Sequence, residues 1–316
     1  MALTFFAEGL PVPAKTALFD LKTFWIISDN GTFLQHCCAR GFRTRSLSQI
    51  EQLPAQSLIF SFCNDAARQT FELAKNTPRK QSIFCAVHVF EASVESALYG
   101  LDLILKSDFD DSLHKQHLIL DLLDTYKQFF LTGTHTQARV SILKQSTPYA
   151  MIKEDIDSNC IHSVAEFFEV HYAHMNMHTP CPFLFNGHLK ISGILTVLRK
   201  QQVPPDNDLR KALECLSQEV SYRTAILRIK NNTVTSFKVN DIEHKELLKR
   251  AAGPRSLKLT EFAVGVNGAI GPFIDYRMNS QMNEGISGVH VALGDGSSGY
   301  HIDFLSPGVT FSPFQG

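Results

Sequence analysis

Gly288-Val289-His290-Val291-Ala292-Leu293-Gly294-Asp295, with Tyr300-His301-Ile302-Asp303-Phe304 close behind it, sets two imidazoles and a carboxylate among β-formers and small residues. The β-branched and apolar runs predict two neighbouring strands. Gly294, Gly296 and Gly299 fall between them and read as a tight turn. They do not read as a phosphate cradle, because no helix start follows. Alternate side chains of a strand share a face, so His301 and Asp303 point the same way and His290 can join them from the adjacent strand. Two His and one carboxylate suit Zn, Mn or non-haem Fe(II). Taken alone, a His-x-Asp pair is more often a hydrogen-bonded or surface pair than a ligand set.

The chain has 316 residues, of which 44% are hydrophobic and 19% charged, a globular composition sufficient for two domains. A net charge of −1 advertises no nucleic-acid partner. The 24 Phe imply a large core, with apolar grooves as the other use. Seven Cys at irregular spacing, with no Cys-x-x-Cys, argue against a disulfide framework and a zinc ribbon. Cys63 and Cys85 lie in apolar runs and read as small buried hydrophobes. The start lacks a basic segment followed by an apolar one, and no apolar stretch is long enough to span a bilayer. The expectation is a cytoplasmic protein with no membrane contact.

Strand-like runs over 23–28, 57–62 and 82–87 alternate with helical segments ending near Gly41, running 64–75 and running 92–106. This rhythm predicts a parallel sheet with crossover helices. No Gly-x-Gly-x-x-Gly or P-loop accompanies it, so no nucleotide is implied. Residues 108–131 carry Leu and Ile at helical spacing and predict a connecting amphipathic helix. Beyond it the pattern turns β-rich, with runs over 138–143, 193–198, 224–229 and 233–237. Asn231-Asn232 reads as a hairpin turn, 243–250 as a short solvated helix, and Pro204-Pro205-Asp206 as a loop. The expected fold is an N-terminal parallel-sheet α/β domain over 1–133 followed by a β-rich mixed α+β domain over 134–316.

Four blocks carry a resemblance: Thr260-Glu261-Phe262-Ala263-Val264-Gly265-Val266-Asn267, Asn283-Glu284-Gly285, Val289 to Asp295, and His301-Ile302-Asp303. Together they resemble the C-terminal catalytic domain of the thermophilic aminopeptidase T and S family, over roughly 255–305 and more weakly from Thr134. The resemblance implies a two-metal hydrolase in which Glu261, Glu284, His290, His301 and Asp303 supply the ligands. It departs from the pattern in three ways. The family's further glutamate lies in a Pro-x-Gly-Glu-Val-Phe segment, and in Thr179-Pro180-Cys181-Pro182-Phe183-Leu184-Phe185-Asn186-Gly187 that acid is absent. The interval from His290 to His301 is compressed, and the sequence stops soon after Asp303. Loss of one carboxylate should weaken one of two metal positions.

Three functions follow. The first is metal-dependent hydrolysis of a peptide or aminoacyl amide, with a divalent ion (Zn, Mn, Co or Fe), Glu261 as bridging ligand or general base, and Tyr300 as an oxyanion donor. The second is a non-catalytic protein on the same scaffold that binds no ion and presents a precursor peptide to a partner enzyme in natural-product biosynthesis. Phe183 and Phe185 would then line a substrate groove, with burial in the core as the other reading. The third is a mononuclear iron oxygenase, since a dihydroxypyridine dioxygenase type resembles the same family and uses two His and one Asp. A homo-oligomer is compatible with all three. His171, His174 and His178 have helical spacing, but Asn176 and Pro180 predict that a helix ends there and leaves them exposed.

Overall fold

The structure is a computed structural model that describes residues 18–143, 145–152, 155–156, 159–198 and 206–314. The first sheet is parallel. Its strands are β1 (Trp25–Ser28), β2 (Arg43–Ser46), β3 (Gln56–Phe60), β4 (Gln81–Cys85) and β7 (Cys160–Ser163), in the order β2-β1-β3-β4-β7. Helix α1 (Gly31–Ala39) follows β1, α2 (Asn64–Lys75) follows β3, and the single turn α3 (Val87–Phe90) and α4 (Val94–Lys106) follow β4, as the rhythm predicts, while the edge strand β2 is an addition to it. Their starts are set by side-chain caps. Asn30 accepts from the Phe33 amide, and Ser93 from the Ser96 amide, each at 3.0 Å. Cys63 is exposed, not buried as expected, because its sulfur caps α2 and accepts from the Ala66 amide. Cys85 is buried, and all seven cysteines are free.

The predicted helix over 108–131 stops early, as α5 (Phe109–Thr125). Beyond it Phe129 and Leu131 are buried while Phe130 is exposed, a two-residue period that makes β5 (Gln128–Gly133) a strand. Phe129 stacks on Phe311 at 4.3 Å and 16°. β5 pairs with β6 (Thr136–Ile142), so the position 133/134 falls within a hairpin. The chain then returns to the parallel sheet to lay down β7 beside β4.

The other strands are β8 (Glu169–Ala173), β9 (Phe183–Ile191), β10 (Gly193–Val197), β11 (Ala225–Lys230), β12 (Thr233–Val239), β13 (Ile242–Glu243), β14 (Leu259–Gly265), β15 (Gly288–Leu293), β16 (His301–Pro307) and β17 (Thr310–Pro313). They build two antiparallel sheets, β10-β16-β15-β14-β8 and β13-β12-β11-β9-β6-β5-β17. The hairpin β11–β12 turns on Asn231 and Asn232, both left-handed at φ 49° and 59° as a type I′ turn requires. Helices α6 (Asn207–Tyr222) and α7 (Lys245–Ala251) belong to this half, and Asp206 caps the first of them. Pro204 and Pro205 of the expected loop lie outside the described residues.

A common core joins the inner faces of these two sheets. Phe183 and Phe185 both approach Phe262, and Phe237 meets Phe304 edge-on at 5.3 Å. The largest fully buried side chains of the described residues are all Phe, so this residue's abundance is spent on packing. The fold is thus mixed α/β, one parallel sheet with two antiparallel ones. Among the described residues no helix is long and apolar enough to cross a membrane.

Candidate metal centre

The five-stranded antiparallel sheet turns one face to the core and gathers titratable groups on the other. Phe262, Val264, Val291 and Phe304 point into the core. Their neighbours along the strands therefore face the opposite way. Register then fixes the array. Glu261 lies across from Ala292 and Ala173, and Ala292 lies across from Asp303. Two residues along, Ala263 lies between His171 and His290. Small alanines thus alternate with ligand-type residues on this face. A bulge between Leu259 and Glu261 shifts the register just where Glu261 enters.

The side chains converge. His290 Nε2 donates to Glu261 Oε1 at 3.4 Å and lies 3.5 Å from Glu169 Oε2. His301 Nε2 is 3.0 Å from Asp303 Oδ1 and 3.6 Å from Glu261 Oε2. His171 Nδ1 is 3.3 Å from Glu169 Oε1. Glu261, His290 and Asp303 each offer a ligand atom within 4.8 Å of the others, and so do Glu169, His171 and Glu261. His290 and Asp303 are 1% exposed, and Glu261, the most open of the three, 9%. Glu169 Oε2, His290 Nδ1 and Asp303 Oδ2 are buried without a hydrogen-bond partner. Buried polar atoms are rarely left so, and imidazoles with carboxylates are the donors that Zn, Mn and Fe(II) take. The residues fit a divalent cation.

Electrostatics bind the group together. Burial alone would raise the Glu261 carboxyl. The His290 hydrogen bond and the charges of His171, His301 and His290 overcome it and hold Glu261 at about 2. Burial works against protonation of His301, but Asp303, Glu261 and the Gly294 carbonyl push it up to about 9. His171 also rises to about 9 against burial, through Glu169 and Glu261. His290 is raised in the same manner by Glu261, Glu169 and Asp303.

The turn between β15 and β16 orients His301, whose Nδ1 donates to the Gly294 carbonyl at 3.2 Å. Gly294 and Gly296 are left-handed, at φ 74° and 72°, as a tight turn demands. Asp295 secures the same turn, accepting from the Ser297 and Ser298 amides at 2.7 and 2.8 Å. Burial raises its carboxyl, but these bonds, the Ser298 hydroxyl and Arg255 bring it below the ordinary 3.8. A depressed carboxylate stabilises the fold above its unfolded pKa and loses that effect as pH falls through the folded value. Asp295→Ala should therefore cost about 1–2 kcal/mol at neutral pH and much less near pH 2. Thermal unfolding of both proteins at the two pH values checks this, and an equal deficit at both would refute it.

The structure gathers Glu261, His290, His301 and Asp303 on one face of the sheet. Glu284 is half-buried, follows the turn Gln281–Asn283 and belongs to neither ligand group. Tyr300 points away from the cluster. It packs on the core, and the charges acting on its hydroxyl come from Arg210, Glu214 and Asp206, all on or beside α6. Phe183 and Phe185 are 1% and 0% exposed, in the core behind the sheet. Glu169 of β8, which the sequence reading did not single out, lies at the cluster, its Oε2 3.5 Å from His290 Nε2 and its Oε1 3.3 Å from His171 Nδ1. His171 belongs to β8 and not to a helix, and its ring lies against the cluster.

No curated protein matches the chain. Among solved structures it is similar to wild-type AmpT from Thermus thermophilus, at 12% identity and a TM-score of 0.45, covering 90% of this chain and 87% of that one. It is also similar to 2,5-dihydroxypyridine dioxygenase from Pseudomonas putida KT2440, at 9% identity and a TM-score of 0.41, covering 90% of this chain and 85% of that one. The family model described as crocagin biosynthetic protein CgnE/B matches residues 22–314, and the chain belongs to that family.

Proposed function

We propose that the chain holds one divalent cation through Glu261, His290, His301 and Asp303, and hydrolyses an amide of a peptide or aminoacyl substrate in natural-product biosynthesis. The observation that carries this reading is the convergence of buried imidazoles and carboxylates on one face of the sheet, with Asp303 Oδ2 and Glu169 Oε2 left without a hydrogen-bond partner. Such an ion supplies Lewis acidity to a water and to the scissile carbonyl. The chain's own residues prepare the place. Glu261 stays ionised between His290 and His301, able to hold a cation. Tight packing around His301 and Asp303 fixes both side chains before any substrate arrives.

The test is metal analysis of the purified protein together with hydrolysis of dipeptides and aminoacyl amides, with and without chelator. About one ion per chain and chelator-sensitive release of amine are expected. An ion-free protein, or hydrolysis indifferent to chelator, would refute the reading. Iron accompanied by oxygen uptake would replace hydrolysis with oxygenation.

One observation favours a second reading, a peptide carrier. β2 is the outermost strand of the parallel sheet, and Arg43 and Arg45 on it are exposed. An outer strand offers unpaired backbone groups to an added peptide strand. Under that reading Asp303→Asn leaves peptide affinity within a few-fold; under hydrolysis it removes turnover. Calorimetry beside an activity assay separates the two.

A further inference from the structure

The turn that follows β8 reads His174-Met175-Asn176-Met177-His178, two thioethers and two imidazoles in five residues. The other described methionines, Met151, Met278 and Met282, are buried or half-buried, whereas Met175 and Met177 are 42% and 58% exposed. Neither of these two belongs to a hydrophobic core cluster. Their sulfurs are therefore open to a ligand from solvent.

Hydrogen bonds close the turn into a compact unit. Asn176 Oδ1 accepts from the His178 amide at 2.9 Å, and the Asn176 carbonyl accepts from the Thr179 amide at 3.3 Å. The His174 ring reaches across, its Nε2 donating to the Thr179 carbonyl at 2.9 Å. That bond fixes the tautomer and leaves a lone pair on Nδ1, the way ligand imidazoles are commonly held. From beneath, the buried Arg255 guanidinium donates to the His174 and Met175 carbonyls and pins the backbone. The charge of the donor set decides the ion. It contains no carboxylate and no thiolate, since the half-buried Cys181 sulfur is engaged, accepting from Asn232 Nδ2 at 3.2 Å. Neutral donors beside a guanidinium disfavour a doubly charged ion. Thioethers are soft and select Cu(I), whereas imidazoles with carboxylates, as in the cluster, suit divalent ions.

We propose that this turn is a binding site for a soft monovalent cation, Cu(I) or its analogue Ag(I), held by the Met175 and Met177 sulfurs together with His174 Nδ1 and the His178 ring. Unbranched Met side chains are flexible enough to swing onto an ion that the imidazoles present. The site is independent of the divalent centre and of the hydrolysis proposed there.

Exposed thiols would compete for such an ion, so the test uses the full chain carrying Cys38→Ser, Cys63→Ser and Cys215→Ser. Should that chain not fold, the native chain alkylated with iodoacetamide takes its place. Isotope-labelled methionine methyls are followed by NMR as silver nitrate is added, and Cu(I) affinity is measured without oxygen by competition against bicinchoninate. Saturable shifts of the Met175 and Met177 methyls are expected, with Met151, Met278 and Met282 unmoved. Met175→Leu with Met177→Leu keeps the side chains' bulk and removes both sulfurs. It should weaken Cu(I) binding by at least about tenfold, the loss that even an outer-shell partner of a ligand causes. Cys181→Ser should leave the affinity unchanged, and Zn(II) should leave both methyls in place. Thermal unfolding confirms that each variant is folded. The proposal would be overturned by any of four results: no saturable shift at the two methyls, a Cu(I) affinity within about threefold after both sulfurs are lost, binding that disappears with Cys181→Ser, or an equal response of the methyls to Zn(II).

Discussion

Asp303→Asn is expected to lower affinity for a divalent cation by about a hundredfold or more. The change keeps the side chain's shape and removes its charge. Asp303 is 1% exposed and lies 3.0 Å from His301, so solvent cannot substitute for the lost carboxylate. A tight four-ligand site binds with roughly 10–16 kcal/mol, so one ligand carries several kcal/mol of that. Without an ion, His171 and His301 hold protons up to about pH 9. Cation uptake near neutral pH must therefore release protons, and the measured enthalpy should change with the buffer's own ionisation enthalpy. Competition against a chromophoric chelator gives the affinity, and calorimetry in two buffers gives the proton count. An affinity within threefold of the native protein would remove Asp303 from the ligand set.

Gly294→Ala should be the most damaging single methyl in the β15–β16 turn. Gly294 is left-handed at φ 74°, and a Cβ there would sit 1.8 Å from the Tyr300 carbonyl oxygen. Backbone oxygen cannot move aside as a flexible side chain can. The strained conformation adds its own penalty. A loss of about 3 kcal/mol or more is expected, roughly 6–12 °C in Tm. Gly308→Ala is the matched control. It shares a positive φ, 68°, but its Cβ would meet nothing within 4 Å, so about 1 kcal/mol should suffice. Because the Gly294 carbonyl receives the His301 ring, the first variant should also weaken cation uptake, and the second should not. Equal Tm losses in the two variants would show that the close approach to Tyr300 is not what matters.

Much of this was legible in the residues. The alternation of runs over 23–106 gave the parallel sheet because crossover units carry both signals locally, an apolar strand and a capped helix. His301 and Asp303 could be placed on one face because the period of a strand is fixed. Other features depended on distant partners. Phe129 and Leu131 become strand residues only because β17 and β6 arrive beside them. Glu169 and His171 were hidden because their role depends on β8 pairing with β14, almost a hundred residues later. Glu284 follows the turn Gln281–Asn283, where no strand period fixes the face of a side chain.

β7 belongs to the parallel sheet while β5 and β6, laid down before it, belong to an antiparallel one. Thr132 of β5 finds its outer partner in Thr310. During synthesis, then, neither half can finish on its own schedule. The parallel sheet waits for Cys160–Ser163, and the hairpin β5–β6 keeps one open edge until Thr310–Pro313 is made. In the cell the growing chain carries an unsatisfied strand edge through most of its translation. That edge, with Phe129 and Phe130 on it, is where premature pairing with a neighbouring chain would begin.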